Sequence, residues 1–175
     1  MPDFGQQKIQ SAARLAIPQI LLGLMILLGL LSLPVPYAGS ARPALVLMAV
    51  YYWAIYRPTL VPPFLCFAAG LLTDILSGMP LGLNALVLVI VQWIVRSQRR
   101  FLMGQTYKVL WAIFALVAIL ASAVTWGLYG LLAMRWPPLA PVAGSVAVSV
   151  CLFPFVSLLL IYVHKLLPVA SRGYP

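Results

Sequence analysis

The sequence is built from apolar runs that follow one another with only short interruptions, and this pattern limits what the chain can fold into. Six runs are present: Ala16–Leu33, Pro43–Tyr56, Thr59–Leu76, Leu83–Val95, Val109–Met134 and Pro141–Val163. Only 7% of the 175 residues are charged, whereas a soluble domain carries about 25%. A chain so poor in charge cannot cover a core with a polar surface. We therefore predict an all-α, polytopic integral membrane protein with six transmembrane helices.

The six runs predict one transmembrane domain, residues 16–165, between a cytoplasmic N-terminal arm at residues 1–15 and a cytoplasmic tail at residues 166–175. Some of the helices must be short. At about 1.5 Å per residue, the second and fourth runs cover about 20 Å, which is less than a hydrocarbon core of about 30 Å.

The positions of the basic residues orient the bundle. With six crossings and the N-terminus in the cytoplasm, all but two of the 11 Lys and Arg residues face the cytoplasm, and only Arg42 and Arg135 face outward. If the second run did not cross, every later loop would change side and most basic residues would lie outside. Because cytoplasmic loops carry the excess of Lys and Arg, we predict that both termini are cytoplasmic and that Arg96, Arg99 and Arg100 form a cytoplasmic anchor.

The composition argues against several classes of function. A net charge of +9 would suggest nucleic-acid binding in a soluble protein, but most basic residues here stand singly between apolar runs, as membrane-flanking anchors do. The two cysteines, Cys66 and Cys151, lie inside apolar runs, there is one histidine, and no Gly-rich phosphate loop occurs. Catalysis normally needs paired titratable groups or a nucleophile with a base. We predict no enzymatic activity, no metal site, no cofactor and no nucleic-acid partner.

Asp74 is one of only two acidic residues, and it is embedded in apolar sequence just before a turn; the other, Asp3, lies in the N-terminal arm. Gly70, Asp74 and Gly78 are four residues apart, so a helix aligns them as a carboxylate between two gaps. The flanking runs predict a helical hairpin whose structural residues are Gly70, Asp74, Gly78, Gly82 and Asn84. Because its descending arm is short, the tip should lie below the outer surface, where irregular backbone must be buried in protein or line a wet cavity.

An acidic side chain at this depth is costly and tends to find a partner. The candidates for Asp74 are the Asn84 amide, the Ser77 hydroxyl, and the two outward arginines, Arg42 and Arg135. We expect an arginine, because nothing else in the sequence explains a basic residue on the outer side. Three roles stay open for the carboxylate: a wet group that ends a helix, a structural keystone that holds the tip, or a ligand or ion site.

Small residues recur along the last two runs and predict places where helices meet closely. Ala112, Ala115, Ala118 and Ala121 repeat every three residues, whereas Ala143 with Ala147, and Ser145 with Ser149, are spaced by four on two faces of the sixth run. Lipid supplies no hydrophobic drive between helices, so such faces are where packing holds a bundle together or binds a partner helix. The sequence leaves open whether that partner is internal or another protein.

The stretch from Phe67 to Leu86 resembles the signature of the MreD family of bacterial rod shape-determining membrane proteins. The matching positions are Gly70, Asp74, Gly78, Gly82 and Ala85-Leu86, followed by an apolar run and a basic loop. The resemblance implies a multi-pass protein of the bacterial inner (plasma) membrane that acts without catalysis in the complex elongating the lateral cell wall. The partners it implies are the transmembrane helix of MreC, the polymerase RodA with its penicillin-binding transpeptidase, and, indirectly, the MreB filament.

Two hypotheses of different classes follow. In the first, the chain is a membrane scaffold that presents a helix face to MreC and so supports rod shape and peptidoglycan synthesis. In the second, it is a transporter subunit that binds a small molecule at the Asp74 hairpin, because the six-helix arrangement also resembles the substrate-binding component of energy-coupling-factor transporters. The second rests on fold analogy, and a fold does not by itself carry a function.

Overall fold

The computed structural model describes residues 19–31, 33–35 and 39–166. Within these residues the chain forms seven helices and one short two-stranded ribbon. The helices are α1 (Gln19–Gly29), α2 (Leu45–Tyr56), α3 (Pro63–Ser77), α4 (Leu83–Ser97), α5 (Arg99–Met103), α6 (Tyr107–Ala133) and α7 (Leu139–Leu166). The prediction of an all-α, polytopic membrane protein is confirmed. The predicted N-terminal arm and all of the predicted tail beyond residue 166 lie outside the described residues.

Six of the helices match the six predicted apolar runs to within a few residues, and two elements were not predicted. The first is the five-residue helix α5 between α4 and α6. The second is the ribbon of β1 (Leu33–Val35) and β2 (Gly39–Ala41), which pair antiparallel with Pro34 opposite Ser40. Proline lacks a donor and is therefore confined to edge strands, and a ribbon of two strands consists only of edges.

The helices differ in length, as the runs predicted. Two helical stretches, α6 and residues Leu139–Tyr162 of α7, are long and apolar enough to cross a membrane by length and composition. The other four apolar helices, α1 to α4, have 10–17 residues within the described part of the chain. Helices of that length reach across a full hydrocarbon core only where the bilayer is thin.

The central helix of the bundle is α2, which packs against α4, α5, α6 and α7. Every residue from Val46 to Ile55 is buried. A helix that is apolar on all sides lies either in a protein core or in lipid, and here other helices surround it. The second apolar run, Pro43–Tyr56, is short for a membrane crossing, and it forms the helix that the other helices enclose.

Aromatic side chains join α2 to the two long helices. The rings of Phe114 on α6 and Phe153 on α7 stack with centroids 4.1 Å apart, and Tyr51 on α2 meets Phe114 edge-on at 5.4 Å. The Tyr51 hydroxyl donates a hydrogen bond of 3.0 Å to the Leu110 carbonyl on α6. Buried tyrosines usually find such a partner, and this one connects the central helix to the backbone of its neighbour.

The proline inside α7 is compensated by the neighbouring helix. Pro154 has no N–H, so the carbonyl four residues earlier, on Val150, loses its intrahelical donor. The indole N–H of Trp111 on α6 donates to that carbonyl at 2.9 Å. Carbonyls freed by proline in membrane helices need such a substitute because lipid offers none. This bond fixes α6 and α7 together at the point where α7 is weakest.

Candidate functional site

The site begins at the end of α3, where the chain reverses direction. Gly78 follows α3 in the left-handed conformation at φ 66°, and the Met79 N–H donates to the Asp74 carbonyl at 3.0 Å. This is the Schellman motif, which ends a helix with a residue in the left-handed conformation, and glycine adopts that conformation most easily. Gly82, at φ 93°, then precedes the first residue of α4. A β-carbon at either glycine would meet nothing within 4 Å, so both are required by backbone conformation and not by space.

Gly70 serves the opposite purpose. It lies inside α3, and a β-carbon there would come within 2.2 Å of the Ala85 Cα and 2.5 Å of the Ala85 nitrogen on α4. These are backbone atoms, which cannot turn away as the end of a side chain can. Gly70 therefore allows α3 and α4 to approach until their backbones touch. The two glycines that the spacing of four aligned with Asp74 thus have different roles: Gly70 permits a helix contact, and Gly78 forms the turn.

The Asp74 carboxylate lies between the two helices and is fully buried. Its Oδ2 accepts from the Gly82 N–H at 3.0 Å, and its Oδ1 accepts from the Asn84 N–H at 3.1 Å and from the Asn84 side-chain amide at 2.8 Å. Every one of these partners is a donor, so both carboxylate oxygens act as acceptors. The group is thus satisfied by the turn that it holds.

Asp74 caps the N-terminus of α4 from the preceding helix. The first N–H groups of a helix have no intrahelical partners and carry a partial positive charge. A capping side chain normally comes from the residue just before the helix, but at that position α4 has Gly82, which has no side chain. The carboxylate of α3 takes over this role across the turn, which explains why an acidic residue is present in such apolar surroundings.

The prediction that an arginine pairs with Asp74 is wrong. Among the described residues, its hydrogen-bond partners are Gly82 and Asn84. Arg42 instead donates its backbone N–H to Ser145, and Arg135 is exposed beyond the end of α6. The Ser77 hydroxyl, another of the candidates, is not among the donors to the carboxylate in the part of the chain that the structure describes. Donors from the same turn are already in place when the hairpin closes, and they leave the carboxylate no further need for a cation.

The alanine repeat of α6 is divided between the inside and the outside of the bundle. Ala118 and Ala121 are buried, Ala115 is half-buried and Ala112 is exposed. Steps of three residues turn by about 300° around a helix, so such a repeat drifts away from any single face. Of the four alanines, only Ala118 and Ala121 therefore belong to the buried face of α6, together with Leu110, Phe114 and Gly130.

The two small-residue faces predicted for α7 have separate surroundings. Ala143 and Ala147 are exposed. Ser149 is buried, accepts from the Ala44 N–H at 2.9 Å and donates to the Ser145 carbonyl at 2.6 Å, while the Ser145 hydroxyl accepts from the Arg42 N–H at 3.1 Å. Ala44 immediately precedes α2, so the serine face of α7 supplies the N-terminal cap of the central helix. No local sequence signal marks this contact, because more than 100 residues separate its two sides.

The basic cluster predicted as an anchor also has two parts. Arg99 is half-buried, and its Nε–H donates to the Ile55 carbonyl in the last turn of α2 at 2.6 Å. A cation at a helix C-terminus bonds free carbonyls and complements the helix dipole. Arg96 and Arg100 are exposed. Sequence reasoning therefore found the cluster but missed that one member holds the central helix.

A cavity of about 100 Å³ lies beside the turn. Most of its lining comes from α1 and from residues 43–47 around the start of α2, and its polar side chains are Thr73 and Asn84. Asp74 is not part of the lining. Sites for drug-sized molecules usually measure about 300–1,000 Å³, so this space fits a few water molecules. Within the described residues, no three His, Cys, Asp or Glu side chains lie together as a metal site would require.

The comparison with protein families identifies one family. The family model described as rod shape-determining protein MreD matches residues 10–163, nearly the whole chain, and therefore includes the Asp74 turn. Searches of curated proteins and of solved structures returned no significant match. The match over most of the chain assigns the family: this protein belongs to the MreD family of rod shape-determining membrane proteins.

Proposed function

We propose that this chain acts in rod shape determination as a non-enzymatic scaffold of the cell-wall elongation complex, with MreC as its direct partner and RodA, its transpeptidase and MreB as further members. The observation that carries the proposal is how the Asp74 turn is used. Gly70 brings two helices into contact, Gly78 and Gly82 shape the turn, and Asp74 caps α4. The only acidic side chain in the membrane domain therefore has a structural role, as we expect in a scaffold.

We place the docking site for the partner helix on the outer face of α7. Ala143 and Ala147 are exposed and spaced by four, so another helix can approach its backbone closely. The buried serine face of the same helix is already occupied by α2, and Ala118 and Ala121 of α6 are inside the bundle. The α7 alanines are thus a small-residue pair that lies on the outside of the bundle.

Copurification with MreC tests this face. The double variant A143L/A147L adds bulk on the lipid side without entering the core, and it should reduce the amount of MreC recovered with the chain by about tenfold, as a loss of about 1.4 kcal/mol would. The single variant A123L makes one such change at an exposed position of α6 and serves as the control. Unchanged recovery in the double variant, or an equal loss in the control, would remove α7 from the proposal.

The proposal includes six crossings of the inner membrane with both termini in the cytoplasm. The support is the positive-inside bias of the basic residues. In a chain carrying C151S, which removes the exposed cysteine and leaves the buried Cys66, a reporter cysteine at position 98 should react only after the membrane is permeabilised. Labelling of that cysteine from the periplasm would mean that the orientation is inverted.

The alternative, a transporter subunit that binds a small molecule at the Asp74 turn, receives less support. It needs the carboxylate to face a cavity of ligand size, whereas the carboxylate is fully buried, saturated with donors and absent from the lining of the adjacent cavity of about 100 Å³. Ligand-dependent uptake that is lost in D74N while the protein still folds and still recovers MreC would revive this alternative.

A further inference from the structure

The bond between Arg99 and α2 gathers the basic residues of separate segments at one end of the bundle. Arg99 reaches the Ile55 carbonyl near the C-terminus of α2, and α5 also packs against α4. The residue after α2, the last turn of α4, α5 and the first turn of α6 therefore share one end. Five cations belong to it: Arg57, Arg96, Arg99, Arg100 and Lys108. We name this group the α5 cation cluster.

The protein has almost no negative charge with which to balance this cluster. Its two acidic residues are Asp3, which lies outside the described residues, and Asp74. Asp74 is bonded to Asn84 at the N-terminus of α4, and α4 places Arg96 about 18 Å further along at about 1.5 Å per residue. At most one acidic side chain of this chain can therefore reach the cluster, which is too few to balance its five cations.

Exposed apolar side chains surround the exposed cations and indicate what kind of counter-charge fits. Phe101 and Met103 of α5 are 59% and 54% exposed, and Trp93, one turn before Arg96, is 69% exposed. Aromatic residues beside cations are typical of the boundary between headgroups and acyl chains. An acidic soluble protein would have to cover these apolar groups, whereas a phospholipid supplies a phosphate for the cations and hydrocarbon for the rings.

We propose that the α5 cation cluster is a binding site for anionic phospholipid. The phosphate headgroups lie against Arg96, Arg100 and Lys108, and the acyl chains cover Phe101 and Met103. The same contact holds α5 at the membrane surface, and with it Arg99, which closes the C-terminus of α2. This inference depends on the membrane location of the chain and not on its binding to MreC.

Lipid titration of the purified full-length chain tests the proposal. In a neutral detergent, dioleoyl-phosphatidylglycerol or dioleoyl-phosphatidylcholine is added and bound lipids are counted by native mass spectrometry. The wild type should bind phosphatidylglycerol in preference to phosphatidylcholine. Each cation near an anionic surface contributes roughly a fivefold gain in binding, so R96Q/R100Q should weaken phosphatidylglycerol binding by roughly 25-fold. The variant keeps Arg99, so its melting temperature without lipid should match that of the wild type.

The control R42Q/R135Q removes the same charge at the opposite end of the bundle and should bind phosphatidylglycerol as the wild type does. The proposal is overturned if R96Q/R100Q keeps its phosphatidylglycerol binding, if the control loses as much, or if the wild type does not discriminate between the two lipids. If R96Q/R100Q unfolds, R100Q alone should show a roughly fivefold loss, and an unchanged affinity would overturn the proposal equally. Displacement of the bound phosphatidylglycerol by a polyglutamate peptide would assign the cluster to an acidic protein instead.

Discussion

The Asp74 turn and the ends of α2 solve the same problem with partners at very different distances along the chain. Both are helix termini inside an apolar environment, where free backbone groups are costly. At the turn, Asp74 caps α4 through residues 8 and 10 positions away. At α2, Ser149 caps the start from 105 residues away and Arg99 caps the end from 44 residues away.

The difference teaches that the turn is a local unit whereas α2 depends on the assembled bundle. The carboxylate, the glycines and Asn84 come together as soon as α3 and α4 close on each other. The caps of α2 form only when α5 and α7 have reached their places. We therefore expect changes at the turn to disrupt the hairpin itself, and changes at α2 to weaken the attachment of one neighbouring element.

The largest effect is expected from D74A. The change leaves two backbone N–H groups and one side-chain amide without their acceptor in a buried site, which should lower the free energy of unfolding by about 3 kcal/mol or more. Denaturant unfolding in detergent micelles measures it. D74N keeps one acceptor oxygen and should lose less than D74A. Equal stability of D74A and the wild type would show that the turn is held by its glycines alone.

The next effect is expected from G70A, which brings a methyl group against the backbone of Ala85. Forcing the helices apart should destabilise the protein by about 1–3 kcal/mol. Gly127 on α6 is the matched control, because a β-carbon there meets nothing within 4 Å. G127A should be neutral or about 0.5–1 kcal/mol more stable, since alanine favours the helix. A comparison of the two melting curves decides, and similar curves would contradict the close contact.

A smaller effect is expected from R99Q, which removes the cation from the C-terminus of α2. The loss of this bond should cost about 1–2 kcal/mol and should increase hydrogen exchange at the last turn of α2 more than elsewhere. R100Q removes the same charge from the neighbouring exposed position and, in lipid-free detergent, should leave that exchange unchanged. If both variants raise the exchange equally, the cause is the lost positive charge and not the lost hydrogen bond from Arg99 to the Ile55 carbonyl.

The smallest effect is expected from S149A. The Ala44 N–H then loses its acceptor on α7, at a cost of about 1 kcal/mol. S97A is the control, because the Ser97 hydroxyl bonds only the Ile94 carbonyl of its own helix and is exposed. Protease sensitivity of the segment before α2 should rise in S149A alone. No rise would mean that the N-terminus of α2 is held in another way.

Much of the architecture was determined by the sequence alone. A chain with so little charge cannot cover a core with a polar surface, which predicted a membrane protein. The six apolar runs then predicted six of the helices and their approximate bounds. The glycine and aspartate spacing likewise predicted a hairpin at Asp74, because turn residues act on their immediate neighbours. Asn84 was one of the candidate partners for the same reason.

Tertiary structure decided which groups meet across the chain. Nothing in the order of residues 43–56 distinguishes a central helix from one facing lipid, because both are apolar on every side. The serines that cap α2, the arginine that closes it and the tryptophan that replaces the missing donor of Pro154 act on backbone groups 39 to 105 residues away. A backbone N–H or carbonyl is the same at every residue, so the sequence carries no mark of the partner that a distant side chain will find.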